Sequence, residues 1–188
     1  MAVGGLNEIR GENILAVDDE RPTKGGGGKN ITPKDVVRPT VETSAPSGEL
    51  SVSIKSESSA LSGFKSSITI TNTSTSNYYL SESGKTTNEW IAYDFGKNVK
   101  VTKIALLASP SYDINPKDIT IQIPKDKNAN DWVDFCKFEM KNGKKTSGWQ
   151  IFQGFTVNTN YLRLFMHNRH GTSGGDYFLL CGARFYSN

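Results

Sequence analysis

Trp90-Ile91-Ala92-Tyr93-Asp94-Phe95-Gly96, followed by Val101-Thr102-Lys103-Ile104, is the stretch on which the fold turns. Aromatic and β-branched residues fill it, and Asp94-Phe-Gly96-Lys-Asn98 places turn chemistry between two apolar runs. The stretch predicts a strand over 90–95, a tight turn at Asp94 and Gly96, and a strand over 101–107. Trp90 and Phe95 are expected as core anchors.

The same texture extends to both sides. Leu50-Ser-Val52-Ser-Ile54, Ile68-Thr-Ile70-Thr and Ile119-Thr-Ile121-Gln-Ile123 alternate apolar and polar residues with a period of two, the pattern of half-buried strands. Further strands are expected over 133–138, 150–155, 161–167 and 178–186, separated by Gly, Pro and Asn turns. No amphipathic helix of any length is visible. About eight short strands at near-regular spacing predict an all-β sandwich or barrel, with jelly-roll or Greek-key wiring.

The chain has 188 residues, 22% of them charged, with 22 basic and 19 acidic side chains. The length suits one domain. Nineteen aromatics (9 Phe, 7 Tyr, 3 Trp) are too many for a chain that cannot bury a core. A net charge of +3 lacks the clustered basic stripe of a nucleic-acid partner, and no apolar run is long enough for a membrane helix. The first fifteen residues contain no apolar run of a secretory signal, so cytoplasmic synthesis without membrane insertion is expected. Cys136 and Cys181 sit among apolar neighbours and read as buried thiols, with a bridge between them as the alternative.

None of the aromatics precedes Phe64, whereas residues 1–48 hold four of the seven prolines and the run Gly25 to Gly28. Such a stretch cannot build its own hydrophobic centre. It is expected to be an extended arm or tether, with the sandwich occupying 49–188. The short apolar clusters Ile14, Leu15, Val17 and Val36, Val37 are expected to dock the arm on neighbouring protein subunits.

Several motifs in this order resemble the discoidin, or coagulation factor 5/8 type C, family of galactose-binding-like jelly rolls. They are the Trp90-to-Ile104 stretch, Ser56-Glu57-Ser58-Ser59-Ala60, Asn72-Thr73-Ser74-Thr75, Asn160-Tyr161-Leu162-Arg163-Leu164 and the closing 178–186 run. The resemblance covers 49–188 and implies a jelly-roll β-sandwich of about eight strands. Arg163 reads as a strand residue paired with a buried carboxylate or with backbone carbonyls. Family members often carry Asp-Gly ahead of the Asn-Thr turn, where a calcium ion can be organised. This chain has Ile70 and Thr71 there, so no cofactor is expected and a calcium site is disfavoured.

Catalysis has little support. His167 and His170 are the two histidines, no nucleophile elbow accompanies them, and they read as surface residues rather than metal ligands. What remains is recognition by loops at one end of a rigid sandwich. Sugar binding needs an aromatic face for the C–H side of the ring and fixed polar groups for the hydroxyls. Tyr78 and Tyr79 supply rings, and the 167–177 loop supplies His170, Arg169, Asp176 and Tyr177. The resemblance implies sugar stacking by Tyr177 in particular, because galactose-binding relatives carry an aromatic just before the final strand. Leu61 and Phe64 flank Gly63 as exposed tips would in lipid-binding relatives.

The expected function is therefore a non-enzymatic module that binds a glycan or another cell-surface ligand. Its arm would anchor it to a larger assembly such as a phage particle, making it a structural or receptor-facing component. The alternative is an intracellular adaptor similar to the DOC-type sandwich of ubiquitin ligases, from the likeness of Ser147-Gly148-Trp149 to that family.

Overall fold

The computed structural model describes residues 36–187, in which ten strands follow one another. They are β1 (Val36–Val37), β2 (Thr40–Glu42), β3 (Ser53–Glu57), β4 (Tyr79–Leu80), β5 (Glu89–Leu107), β6 (Asp118–Pro124), β7 (Trp132–Glu139), β8 (Trp149–Met166), β9 (Leu179–Leu180) and β10 (Gly182–Tyr186). One short helix, α1 (Ser67–Thr71), and a 3-10 turn at Gly143–Lys145 interrupt them.

β5 and β8 are long enough to serve two layers. Residues 89–94 of β5 pair with 161–166 of β8, and 99–107 pair with 149–159, with the ladder broken between Asp94 and Val99. Gly96 sits at that break with φ +70, and its N–H donates to Asp94 Oδ1 at 2.7 Å. The predicted Asp94/Gly96 turn is thus a kink within one continuous strand. The front layer runs β1-β7-β6-β8-β5 and adds β3 on the far side of β5. The back layer joins β10, the second half of β5, the first half of β8 and β2. The all-β sandwich is therefore present.

Period-two alternation sends one set of side chains between the layers. Phe138 of the front layer stacks on Phe152 of the back layer with ring centres 4.4 Å apart and planes 5° from parallel. Phe185 of β10 meets Tyr93 at 4.8 Å and Phe95 at 5.4 Å. The opposite face of the back layer is covered too. Ala105, Leu107, Trp149 and Ile151 pack under Leu80, Leu179 and Ile114 in a second apolar cluster. Gly182 permits this, because a Cβ there would lie 2.6 Å from the Trp149 ring.

Four expectations need correction. The alternating Ile68–Thr71 run forms one helical turn instead of a strand. Its buried residue is Thr69, which donates to Ser66 O at 2.7 Å and lies 3.2 Å from the Tyr93 hydroxyl. A four-residue alternation fits a helical turn as well as a strand, and tertiary contacts decide between them.

The sandwich also begins earlier than residue 49. Val36 and Val37 pair in parallel with Lys137 and Phe138, Thr40–Glu42 pair with β8, and Val37 packs on the central core. Val36 and Val37 thus dock on their own chain's sheet. Ile14, Leu15 and Val17 lie outside the described residues.

Trp90 is half-buried on the outer face of the front layer, so it is not a core anchor, whereas Phe95 is. Arg163 hydrogen-bonds to neither a carboxylate nor a backbone carbonyl among the described residues; its Nε donates to the side-chain Oε1 of Gln122 at 2.6 Å. Arg184, by contrast, is bonded to backbone carbonyls in the core: it donates to Thr69 O at 2.8 Å and Asn72 O at 2.6 Å and pairs with Glu49 at 2.6 Å.

Both cysteines are free and buried, as their apolar neighbours in sequence predict. Cys136 belongs to the central core and Cys181 to the second cluster, on opposite faces of the sheet, so a bridge is ruled out by geometry. Burial pushes the Cys181 thiol up to about 12, which keeps it protonated and unreactive.

Candidate glycan-binding loop end

The loops at one end of the sandwich are held by their own polar groups. Asn115, fully buried, accepts from Ser109 N–H at 2.7 Å and donates to Tyr112 O at 2.7 Å, folding 109–115 into a tight turn. The 171–176 loop is tied to it by Asp113. Asp113 Oδ1 accepts from both the N–H and the hydroxyl of Ser173, each at 2.7 Å. A third loop joins where Gly84 N–H donates to Asp176 O at 2.8 Å.

These ties bring aromatic rings together. Tyr112 is 37% exposed, one of two large hydrophobics open to solvent among the described residues. Tyr78 meets its edge at 6.5 Å and is itself stacked on Phe64 at 5.5 Å. Gly174 and Gly175 pass between Tyr112 and Tyr177 with φ +124 and +98. A Cβ on Gly174 would lie 2.9 Å from Tyr112, and one on Gly175 2.7 Å from Tyr177. Only glycine suits both the backbone and the space. Lys144, 3.4 Å from the Ser173 hydroxyl, and the exposed carboxylate of Asp176 edge the group.

The residues singled out from sequence fall into two groups. Tyr78, Tyr177 and Asp176 lie at this end and are accessible. Tyr79 is fully buried, its hydroxyl donating to Ser59 O at 2.8 Å, and it cannot meet a ligand. Adjacent strand residues point to opposite faces, so Tyr78 and Tyr79 could not both serve.

Arg169 is 10% exposed, and its guanidinium is spent within the protein, on the carbonyls of Gly175 and Tyr177 and on Asp176. It shapes the loop. His170 is bonded through Nε2 to Met140 O at 2.9 Å, and burial lowers its pKa, which favours the neutral ring. Leu61 and Phe64 are half-buried in the second cluster and do not form exposed tips.

Sequence reasoning missed Tyr112, Asp113 and Lys144. The available signal for Tyr112 was an aromatic inside the polar turn Pro110-Ser-Tyr112-Asp113. Among the described residues no three His, Cys, Asp or Glu side chains converge as metal ligands, and no helix is long and apolar enough to cross a membrane.

The Asp113–Ser173 tie is pH-sensitive. The Ser173 hydroxyl is the main cause that holds the Asp113 carboxyl below the ordinary value near 3.8. A carboxyl lowered by folding stabilises the folded loop above the unfolded value, and this is lost as pH falls through the folded value. In Ser173→Ala the Asp113 midpoint is expected to rise toward that of a free carboxylate, as followed by carboxyl-carbon NMR. An unshifted midpoint would show that Ser173 is not the cause.

The F5/8 type C domain model matches residues 53–179. The chain belongs to the F5/8 type C domain family. Solved structures agree on the fold of this F5/8 type C domain. The CBM32-3 module of a family 31 glycoside hydrolase from Clostridium perfringens superposes with a TM-score of 0.61 at 13% identity, covering 73% of this chain and 91% of that one. The family 32 carbohydrate-binding module of NanJ from C. perfringens, solved with galactose, gives 0.57 at 9% identity, covering 71% and 92%. Chitosan-binding module 2 of a Paenibacillus sp. IK-5 chitosanase/glucanase, solved with chitotriose, gives 0.53 at 15%, covering 74% and 97%. No curated protein sequence matches the chain.

Proposed function

We propose that this F5/8 type C domain is a non-enzymatic glycan-binding module whose sugar site is the loop end around Tyr112, Tyr78 and Tyr177. Tyr112 carries the reading: an exposed ring, braced at its edge by Tyr78 and seated against Gly174, on a loop fixed by buried Asn115. A rigid aromatic face covers the C–H side of a pyranose at little entropic cost. Lys144, Ser173 and Asp176 offer donors and acceptors to its hydroxyls. The neighbours solved with galactose and with chitotriose support a carbohydrate ligand of this kind.

Residues 1–35, rich in Gly and without aromatics, serve in this proposal as a tether to a larger assembly such as a phage particle, reached from the cytoplasm where the chain is made. A glycan array compares the wild-type chain, Tyr112→Ala and a chain lacking 1–35. Tyr112→Ala is expected to lose about tenfold or more in affinity, the usual cost of removing a central aromatic. The shortened chain is expected to bind sugar normally but to be absent from purified particles. Undiminished binding by Tyr112→Ala overturns the site, and particle incorporation without 1–35 overturns the tether.

A further inference from the structure

The outer faces of the two layers differ. The back layer is covered by the second apolar cluster, whereas Trp90, Trp132 and Phe165, on the outer face of the front layer, belong to neither buried cluster. The register gathers them. Trp90, Phe165, Thr120 and Lys137 form one row across β5, β8, β6 and β7, and Ala92, Arg163, Gln122 and Asp134 form the next.

Arg163 lies at the centre. Its guanidinium carbon is 4.6 Å from the Trp132 ring centre, 5.2 Å from Trp90 and 5.9 Å from Phe165. Its Nε donates to Gln122 Oε1, and Gln122 Nε2 donates in turn to Asp134 Oδ1 at 2.8 Å, which fixes the orientation of the fork. Neither terminal nitrogen makes a hydrogen bond to the described residues.

Arg163 makes no ion pair among the described residues; the carboxylates of Asp134 and Asp131 act on it through space, and Asp134 is held by Gln122. The four ion pairs among the described residues use Arg38, Lys125, Arg169 and Arg184. Arg163, Lys137 and Lys55 stand outside them, and Lys55 lies over the Tyr161 ring on the same face at 4.5 Å. A half-buried guanidinium between two indoles has lost water without a carboxylate in direct contact, a state that an incoming oxyanion in two-point contact relieves. Burial pulls the Arg163 pKa down, in keeping with that loss of water. Beyond Phe165 the surface opens into a groove of about 290 Å³ lined by His167, Lys137 and Asp118, whose carboxylate accepts from the Asn168 side chain at 2.7 Å.

We propose that this face is a second binding surface, separate from the loop end, for an acidic saccharide: its ring lies on Trp132 and Trp90, its oxyanion takes the two terminal nitrogens of Arg163, and the chain extends past Phe165 toward Lys137. Indole faces match the C–H side of a pyranose, and the planar fork matches a carboxylate or sulfate ester in two-point contact. The charge selects the acidic sugar over its neutral counterpart.

The test uses the full chain and calorimetric titration with trigalacturonate, a sulfated galactose trisaccharide and neutral galactotriose. At least one acidic sugar is expected to bind about tenfold or more tightly than the neutral one, and to weaken with added salt. The two acidic sugars distinguish carboxylate from sulfate ester. Arg163→Gln and Trp132→Ala are each expected to lose about tenfold in affinity. Lys137→Glu, at an exposed position, is expected to weaken binding without affecting the fold, and Tyr112→Ala to leave it unchanged.

Three results overturn the proposal: equal binding of acidic and neutral sugars, no binding of either acidic sugar, or loss in Tyr112→Ala with retention in Trp132→Ala. A fourth does so as well, namely indole fluorescence protected from iodide quenching only while residues 1–35 are present. That result would give the face to the chain's own leading segment. Because Tyr112→Ala reports on the loop end and Trp132→Ala on the sheet face, failure of one site is read separately from failure of the other.

Discussion

Phe152→Ala is expected to lower the unfolding free energy by about 4 kcal/mol, within the range for deleting a large buried aromatic. Phe152 is fully buried and lies face to face with Phe138 across the two layers. Truncation removes apolar area and leaves a void that rigid strands on both sides cannot close. Phe155, 5.5 Å from Phe138 in a tilted arrangement, belongs to the same group, so the loss spreads through several rings. Urea unfolding followed by circular dichroism checks this. The midpoint is expected to fall with the slope unchanged, since the surface exposed on unfolding hardly alters. A loss below about 1 kcal/mol would mean that the two layers are not locked through this stack.

Arg184→Met is the second large effect, with an expected cost of about 3 kcal/mol and a melting temperature lower by roughly 6–12 °C. Methionine keeps much of the volume but none of the donors. The wild-type guanidinium bonds the carbonyls of Thr69, Asn72 and Ala183 and pairs with Glu49. The first two carbonyls close the end of α1, and Asn72 in turn donates through its side chain to Asn77 O at 2.6 Å and Cys181 O at 3.0 Å. Removing the donors leaves buried carbonyl groups without partners, which costs more than the bonds themselves are worth. Glu49 is half in water, and Glu49→Gln is therefore expected to cost under about 1 kcal/mol. Thermal melts of both variants separate the two contributions. Equal losses would place the energy in the ion pair.

The strand pattern was legible because burial on one face imposes a period of two that the residues display directly. The runs 90–95, 101–107, 119–123 and 133–138 all fall within observed strands. The exception at Ile68–Thr71 shows the limit: over four residues helix and strand bury comparable sets, and the hydroxyl of Thr69 finds its partner on a strand 24 residues away. The loop end was legible in part. Tyr78, Tyr177 and Asp176 stand where a ligand could meet them, but Tyr112 comes from a loop some 60 residues from its Ser173-bearing neighbour in sequence, and no local pattern links the two.

The order of apolar and polar residues determined that this chain forms a β-sandwich with aromatics inside, since alternation and turn chemistry act over a few residues. Which arginine would be buried among carbonyls and which would lie between indoles was decided by the tertiary structure alone. Arg163 and Arg184 each sit in a strand among apolar neighbours, so their local sequence does not separate them. The difference arises from the strand register that brings Trp90 and Trp132 to one and the end of α1 to the other.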